Sequence, residues 1–250
     1  MKYNQLGDTG IKVSHISLGG AAFSNFYGSF DEEKGVQLIR ESLKCGVNYV
    51  ETGPWYGAGT SERTFGKALA GVPRTSYFIG SKVGRYEQAT EKMFDFSAEK
   101  TEAGVDSTLR RLGLDYVDLI QSKGVGVINA AATGMGLLSN HGPQLWHPAS
   151  DDIKAICKRA SDYCKEQNVE LARLASWFTL SQPGIDTNVC GLYNIEQLRD
   201  TVDVLENGLT GHEQQVLQDI QLRFFDNLPL HWDNVELPAY TAKLNKIRRK

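Results

Sequence analysis

The stretch RLGLDYVDLIQSKGVGVINAAATGMGLL, residues 111–138, decides the fold of this chain. Two runs within it, 115–121 and 124–131, are apolar and β-branched, which is typical of strands that are covered on both faces. Parallel neighbours in a sheet need a crossover of a dozen residues or more, but only two residues separate these runs. No turn sequence here predicts a tight hairpin either. The sequence therefore raises the question of what normally lies between two such strands.

The composition is that of an ordinary soluble globular protein. The chain has 250 residues, of which 41% are hydrophobic and 23% charged, so it can bury a substantial core. A net charge of −3 favours neither nucleic acid nor an anionic membrane as a partner. No apolar run approaches the roughly 20 residues of a membrane span, and the first ten residues lack the apolar core of a signal peptide. We therefore expect a cytoplasmic protein with no nucleic-acid or membrane partner.

The cysteines predict no metal site. Cys45, Cys157, Cys164 and Cys190 lack the spacing of metal ligands, although two of them share a face of a predicted helix. We expect reduced thiols, as is usual in the cytosol.

We expect residues 1–250 to form a single domain. Its first part, 1–17, reads as a small antiparallel cap, because apolar residues flank the turn sequence GDTG. Its last part, 223–250, ends in KLNKIRRK and reads as a solvated basic tail.

Strand and helix signals alternate along the rest of the chain. This alternation predicts an α/β fold with a parallel sheet and right-handed crossovers. The polar and glycine-rich segments follow the strands, where barrels and open sheets of this type place their sites. Six parallel strands are predicted, within 15–23, 48–53, 77–84, 115–121, 125–131 and 187–192. The predicted helices are 31–45, 61–71, 98–112, 151–167, 170–180, 194–206 and 211–222.

Three polar residues at the ends of two predicted strands could carry chemistry. Glu51 and Tyr56 follow one strand, and Lys82 lies in the next, where a lysine is costly to bury unless it is paired. An ammonium beside a phenol stabilises the phenolate, which suits the phenol to give a proton to a carbonyl at neutral pH. From the residues alone, a structural network and a catalytic one both stay open.

The sequence resembles the aldo-keto reductases, particularly the branch that is similar to L-galactose dehydrogenase. The segments that carry the resemblance run in family order from about residue 3 to residue 207. The resemblance implies a (β/α)8 TIM barrel that uses NADPH or NADH to reduce aldehydes and ketones, with a catalytic tetrad of Asp, Tyr, Lys and His. These segments are LGDTGIKVSHISLGG (6–20), ETGPWYGAGTSERTFGKAL (51–69), FIGSKVGRY (78–86), STLRRLGLDYVDLIQ (107–121), SKGVGVINAAATGMGLL (122–138) and GLYNIEQL (191–198).

The resemblance assigns three of the four catalytic positions. Tyr56 matches the proton-donating tyrosine, and Lys82 matches its lysine partner. Glu51 stands where the family has aspartate, and its additional methylene is enough to displace or crowd Lys82. The histidine that normally follows the fourth strand is absent, and Lys123 occupies that register. A lysine there could in principle donate in its place, or be merely solvated.

The resemblance also answers the opening question. It implies that 122–131 contains the seventh barrel strand, joined directly to the fourth, so the fifth and sixth strands and their helices are absent. At about 30 residues per βαβ unit, roughly 80 to 100 residues are missing. We expect an incomplete (β/α)8 barrel with about six parallel strands and an N-terminal β-hairpin. Open sheet edges would favour self-association.

The cofactor loops that the resemblance implies are those after the last two strands. Thr201 stands where the family has Asn, and Gln197 stands where it often has Lys or Arg for the 2′-phosphate, so NADP and NAD both stay open. The polar residues that hold the nicotinamide after strand five, and the aromatic platform after strand six, are missing. The predicted cofactor-binding residues are Asn129, Met135, Gly136, Leu137, Gly191, Asn194 and Gln197.

A few other residues have two interpretations each. Trp55 either lines the substrate pocket or packs. His141 and His147 flank GPQLW in a long loop, which we interpret as an ordinary lid rather than a metal pair. Arg85 and Tyr86 are predicted to anchor the loop after the third strand.

Three hypotheses about function stay open. The first is an NAD(P)H-dependent oxidoreductase of impaired activity, acting on a small carbonyl or alcohol, with sugar-derived compounds as one option. The second is an inactive pseudoenzyme that binds a nucleotide or a protein. The third is a shortened product, from splicing or a mistaken gene model, of a longer parent enzyme.

Overall fold

The computed structural model describes residues 1–87, 89–121, 128–226, 238, 240–242 and 245–246. The chain forms two compact units. The first contains Met1–Ala130 and Gly184–Arg199, and the second contains Ala131–Pro183 and Asp200–Lys250. The predicted organisation into one domain with a cap and a tail stays a prediction.

The first unit begins with the predicted hairpin. Strands β1 (Tyr3–Gln5) and β2 (Lys12–Ser14) pair antiparallel, with Asn4 opposite Val13. The turn between them uses Gly7 and Gly10, which both have positive φ angles. The N-terminal hairpin is therefore confirmed.

The first unit also contains the parallel sheet, and its six strands confirm the predicted fold class. The strands are β3 (Ile16–Gly19), β4 (Tyr49–Glu51), β5 (Phe78–Lys82), β6 (Leu119–Gln121), β7 (Ile128–Ala130) and β8 (Thr187–Cys190). All neighbouring pairs are parallel, in the order β6-β5-β4-β3-β8-β7. Strands β3, β4 and β8 are buried along their whole length, as is typical of parallel sheets.

The pairing of β3 with β8 joins the beginning of the chain to a strand far along it. The Ser17 and Thr187 hydroxyls, 170 positions apart, lie 2.5 Å from each other between these strands. The Thr187 hydroxyl also lies 2.7 Å from the Ser14 carbonyl. Among the described strands, β6 and β7 are the two edges of the sheet, although they are consecutive in the chain.

Strand β6 is shorter than predicted. The sequence predicted a strand over 115–121, but the structure forms one only at Leu119–Gln121. Asp118 explains the difference, because its carboxylate accepts a hydrogen bond from the Ile79 amide and one from Arg74, at 2.7 and 2.6 Å. This carboxylate ends the ladder at the beginning of the strand. Residues 124–127 of the predicted next strand lie outside the described residues.

The helices begin and end near the predicted positions. The helices are α1 (Glu32–Lys44), α2 (Thr60–Leu69), α3 (Ala98–Leu112), α4 (Asp151–Glu166), α5 (Leu171–Leu180), α6 (Ile195–Asn207) and α7 (Gly211–Ile220). Asp31 and Ser97 cap α1 and α3 with their side chains, and Gly113 ends α3 at a φ of +66°. A π-helical turn, Gln221–Phe225, follows α7.

The second unit has its own core and its own ion-pair network. Its apolar cluster consists of Leu137, Ala149, Ile153 and Cys157. Burial raises the pKa of the Cys157 thiol to about 11, so this thiol stays neutral at physiological pH. None of the four cysteines, all of them described, forms a disulfide.

Arg173 connects three helices of this unit. Its guanidinium donates to Glu213 and to Asp203, both at 2.7 Å. Glu213 also completes a capping box with Thr210 at the beginning of α7. No helix among the described residues is long and apolar enough to cross a membrane.

Candidate active site

Glu51 and Lys82 meet at the carboxyl ends of two neighbouring strands. In the register of β4 and β5, Glu51 lies opposite Gly80, so Lys82 extends two residues beyond it on the same face. The Lys82 ammonium donates to Glu51 Oε1 at 2.5 Å and to the Thr52 carbonyl at 3.1 Å. The Glu51 side chain is only 9% exposed, which strengthens its attraction for the lysine. The predicted pair is therefore present in the structure.

Tyr56 joins this pair from the loop after β4. Its amide donates to the Gly53 carbonyl and its carbonyl accepts from Ser61, so the loop turns tightly into α2. Lys82 Nζ lies 5.0 Å from the centre of the Tyr56 ring, as in a cation–π contact. No described residue hydrogen-bonds to the Tyr56 hydroxyl. The structure thus brings the three predicted residues together, with the ammonium over the ring rather than bonded to the hydroxyl.

Gln121 is a member of this cluster that the sequence reasoning missed. It is the last residue of β6 and lies opposite Lys82 in the register. Its side-chain amide donates to Glu51 Oε2 at 2.5 Å, and it lies 3.5 Å from the Tyr49 hydroxyl. Burial, followed by the Glu51 charge, raises the pKa of the Tyr49 phenol. The only signal in the sequence is that a polar residue ends a strand beside the lysine strand.

Tyr27 is a second residue that the sequence reasoning missed. Burial raises the pKa of its phenol, and interaction with Tyr56 raises it further, so Tyr27 stays protonated at neutral pH. The Tyr27 and Tyr193 rings pack edge to face, 6.0 Å between centres. Together with Phe23, Ser24, Phe30 and Lys34, they line a cavity of ≈ 460 Å³.

Trp55 packs against the loop after β5. The Arg85 guanidinium lies 3.7 Å from the centre of the Trp55 ring and 5.5 Å from that of Phe94. Arg85 and Phe94 also form an isolated antiparallel bridge. These contacts agree with an anchoring role for Arg85, and contact between Trp55 and a substrate stays a prediction.

Glu62 belongs to a separate, structural network. Its side chain is fully buried and accepts hydrogen bonds from Ser81, Thr108 and Arg111, at 3.2, 2.7 and 2.5 Å. These partners lie in β5 and α3, so the carboxylate in α2 connects three elements of the first unit. Both carboxylate oxygens are occupied, and Glu62 serves to hold α2 in place.

Of the predicted cofactor residues of the first unit, Asn129 lies within β7, and the others follow β8. Asn129 donates to the Asn188 side chain at 3.0 Å. Asn194 accepts from the Gln197 amide at 2.8 Å, and the Gln197 side chain accepts from the Tyr193 amide at 2.8 Å. These two bonds cap the amino end of α6.

The amino end of α6 fits a phosphate group of a dinucleotide. The cap leaves the first two amides of this 13-residue helix, at Ile195 and Glu196, without an acceptor among the described residues. A Cβ placed on Gly191 would meet nothing within 4 Å, so the approach beside it is open. Helix amino termini bind anions through such free amides. Gly191, Asn194 and Gln197 as binding residues nevertheless stay predictions.

Met135, Gly136 and Leu137 lie in a tight loop of the second unit. Gly134, Met135 and Gly136 have φ angles of 55°, 56° and 90°, and such a conformation is strained for methionine. The Leu137 amide donates to the Gly134 carbonyl at 3.2 Å, whereas no described residue accepts from the amides of Met135 and Gly136. Two open amides in a strained loop are compatible with anion binding.

His147 holds this loop in place. It is 3% exposed, its Nδ1 accepts from the Ala149 amide at 3.1 Å, and its Nε2 therefore donates to the Gly134 carbonyl at 2.9 Å. Both ring nitrogens are used, which agrees with a loop rather than a metal role. The described residues contain no group of side chains that could hold a metal ion.

Replacing His147 with phenylalanine is expected to lower the free energy of unfolding by about 2 kcal/mol. The change keeps an aromatic ring but leaves the buried Ala149 amide and the partly buried Gly134 carbonyl without this partner. A buried polar group left unpaired costs about 1–3 kcal/mol. His141→Phe is the matched control, because His141 lies exposed in the same loop and should change stability by less than about 0.5 kcal/mol. Urea denaturation of both variants measures the difference. Equal losses would contradict a clamping role for His147.

Comparison with known proteins identifies the family. Residues 15–122 and 119–222 match the family model of the aldo/keto reductases. The chain belongs to the aldo-keto reductase family. Its members are NAD(P)H-dependent oxidoreductases. The two matching segments overlap at residues 119–122, which include β6.

Two relatives show the size of the missing segment. L-galactose dehydrogenase of Arabidopsis thaliana is 28% identical over 297 residues, covering 86% of this chain and 92% of the relative. Since 86% of 250 residues is about 215, about 82 aligned positions have no counterpart in this aldo-keto reductase. D-arabinose 1-dehydrogenase of Saccharomyces cerevisiae is 24% identical over 311 residues, covering 85% of this chain and 91% of the relative. The predicted absence of a central segment is confirmed.

Solved structures confirm the fold. This aldo-keto reductase matches AKR11C1 from Bacillus halodurans in its holo form with a TM-score of 0.65 and 24% identity, covering 88% of this chain and 96% of the other. It matches the glycerol dehydrogenase AKR11B4 from Gluconobacter oxydans with a TM-score of 0.67 and 16% identity, covering 90% of this chain and 97% of the other.

Proposed function

We propose that this chain is an NAD(P)-dependent oxidoreductase that transfers hydride slowly to or from a small, sugar-derived carbonyl or alcohol. The observation that carries the proposal is the Lys82 ammonium, held by Glu51 at 2.5 Å and placed 5.0 Å from the centre of the Tyr56 ring. This arrangement supplies a phenol, a cation beside it and a carboxylate that keeps the cation in place.

Each of the three residues has a role in the proposed reaction. Tyr56 gives a proton to the substrate oxygen during reduction and takes it back during oxidation. Lys82 stabilises the negative charge that develops on the phenol oxygen. Glu51 fixes the lysine and is too buried to act on substrate directly. The bound cofactor supplies or accepts the hydride.

Two observations favour a sugar as the substrate. The relatives named above act on L-galactose and D-arabinose, as their names state. The cavity beside Tyr27 and Tyr193 combines aromatic rings with hydroxyl groups, which suits a ring that has an apolar face and polar edges. The substrate is therefore expected to be an aldose or its oxidation product.

The absent histidine is the reason to expect a slow reaction. The segment directly after β6, 122–127, reads SKGVGV and contains no histidine, and Lys123, which occupies that register, lies outside the described residues. Loss of one donor to the reacting oxygen typically costs about 10² to 10³ in rate. We therefore expect turnover well below that of a complete enzyme.

Thermal unfolding with and without saturating NADH or NADPH tests cofactor binding. Ligand at a hundredfold excess over Kd stabilises the folded state by about 2.7 kcal/mol, which raises the melting temperature by a few degrees. Single-turnover assays with L-galactose and D-arabinose, and with glycerol as the non-sugar control, then test the chemistry. A thermal shift with sugar-dependent hydride transfer supports the proposal. The absence of both overturns it.

Cofactor binding without turnover is the second candidate function. It is favoured by the Lys82 contact with the ring of Tyr56, since no described residue bonds to the hydroxyl. The same experiment separates the two candidates, because a thermal shift without hydride transfer to any of the three substrates would support binding alone.

NADH is expected to bind more tightly than NADPH. Glu196 lies exposed in the first turn of α6, where its carboxylate would repel the dianionic 2′-phosphate of NADPH. Replacing Glu196 with lysine should shift the ratio of the two dissociation constants about tenfold toward NADPH. Fluorescence titration of both cofactors measures the ratio.

Glu206→Lys is the control for this charge change. Glu206 is exposed near the other end of the same helix, about 15 Å away along its axis. Its replacement should leave the ratio unchanged, and an equal effect of both variants would contradict a local role for Glu196.

A further inference from the structure

We propose that Gln121 is a positioning residue, which holds the Glu51 carboxylate and thereby fixes Lys82 beside Tyr56. The effect of Gln121 on catalysis rests on the proposed function. Its hydrogen bond to Glu51 can be tested without any turnover. Gln121 does not touch the reacting atoms in this assignment, and its effect passes through Glu51.

The contacts give Glu51 two fixed points. Lys82 donates to Oε1 and Gln121 donates to Oε2, each at 2.5 Å, so both carboxylate oxygens are bound. The second bond is charge-assisted, and such bonds are about twice as strong as neutral ones. Without Gln121, the bond to Lys82 would be the only hydrogen bond from a described residue that restrains the carboxylate.

The face of the sheet is built to allow this contact. Tyr49 and Glu51 in β4, Gly80 in β5 and Gln121 in β6 lie on one face, because side chains alternate along a strand. A Cβ on Gly80 would lie 2.4 Å from the Tyr49 hydroxyl. The missing side chain at Gly80 therefore lets β4 side chains reach across β5 toward Gln121.

The hydrogen bond from Gln121 restricts the conformation of the long Glu51 side chain. Glutamate has one more rotatable bond than the aspartate expected at this position, and an unrestrained carboxylate would occupy several rotamers. A second hydrogen bond selects the rotamer in which the first oxygen meets Lys82. Gln121 thus compensates for the longer side chain.

The first test measures the reactivity of Lys82 and needs no turnover. The purified chain and its Gln121→Met variant are labelled with trace acetic anhydride, and each lysine is quantified by peptide mass spectrometry. Methionine matches the length of glutamine but donates no hydrogen bond. Lys82 is expected to react about tenfold faster in the variant, since loss of a charge-assisted bond frees its partner carboxylate.

Internal references and a matched variant control this measurement. The exposed Lys44 and Lys67 should react at unchanged rates in every sample. Gln215→Met removes another glutamine bond to a carboxylate, that to Asp219 at 3.1 Å, and should leave Lys82 unchanged. Unchanged Lys82 reactivity in a folded Gln121→Met variant would overturn the proposal. Should that variant not fold, Gln121→Asn, which is too short to reach Glu51, takes its place with the same expected result.

The second test uses pH. In Gln121→Glu, the introduced carboxyl donates to Glu51 only while it is protonated, and above its pKa two carboxylates face each other. The single-turnover rate, relative to that of the unchanged chain at the same pH, is expected to be near one at pH 5 and about tenfold lower at pH 8, with KM unchanged. A ratio that does not depend on pH would contradict positioning through this hydrogen bond.

The two tests separate this inference from the proposed function. If the unchanged chain transfers no hydride, the proposed function fails, while the labelling of Lys82 still decides whether Gln121 holds Glu51. If hydride transfer is present and Lys82 labelling does not respond to Gln121, the function stands and the positioning role is wrong.

Discussion

Tyr56→Phe is expected to lower the single-turnover rate about 10³-fold while leaving cofactor binding and the melting temperature nearly unchanged. The change removes only the hydroxyl group. Because no described residue hydrogen-bonds to this hydroxyl, its loss should change the stability of the fold very little. The ring remains for the contact with Lys82. General acid catalysis typically contributes 10² to 10⁴ in rate, and this phenol is the proposed proton donor.

Tyr116→Phe is the matched control for this variant. Tyr116 is 51% exposed and precedes β6, at the opposite end of the strands from Lys82. The same loss of a hydroxyl there should leave the rate within about twofold. Stopped-flow absorbance of the reduced cofactor measures both rates, and equal rates for Tyr56→Phe and the unchanged chain would remove Tyr56 from the mechanism.

Glu62→Ala is expected to lower the free energy of unfolding by about 3 kcal/mol. The change leaves the Arg111 guanidinium, the Ser81 hydroxyl and the Thr108 hydroxyl without their shared acceptor. Removing one partner of a buried ion pair typically costs about 3–5 kcal/mol. Arg111 is 26% exposed, which places the expected loss at the lower end of this range.

Glu32→Ala provides the matched control, because Glu32 forms an ion pair of the same length, 2.5 Å, with Lys67 on the surface. Its side chain is 40% exposed, and exposed pairs contribute at most about 1 kcal/mol. Urea denaturation of the two variants compares a buried ion pair with an exposed one of the same length. Losses of equal size would mean that burial of Glu62 does not determine its contribution.

The sequence predicted those site residues that lie at the ends of consecutive strands. Glu51 and Lys82 end consecutive predicted strands, and a parallel sheet places consecutive strand ends side by side. Tyr56 follows within five residues of Glu51, so its position was constrained as well. The long helices were equally accessible, because Asp31 and Ser97 mark where two of them begin.

The contacts that sequence reasoning missed depend on residues far apart in the chain. Gln121 is 70 positions from Glu51, and Arg111 is 49 positions from Glu62. Glu51 and Glu62 lie on either side of Tyr56 in the sequence, and nothing local shows that one faces Lys82 while the other faces α3. The shorter β6 has the same origin, since the Asp118 contact with Ile79 becomes visible only once the strands are paired.

Self-association through the edges β6 and β7 stays a prediction. Ile120 on β6 is 38% exposed, and unpaired strand edges are the usual starting point of aggregation. Light scattering at rising protein concentration would measure it.

The pairing of β3 with β8 has a consequence for synthesis on the ribosome. β3 leaves the ribosome early, but its neighbour on one side lies 170 positions later in the chain. At roughly 5–20 residues per second, about 10 to 30 seconds pass before β8 can cover it. During that interval the apolar edge of β3 is available to chaperones or to other nascent chains, so the yield of folded protein should depend on the speed of translation.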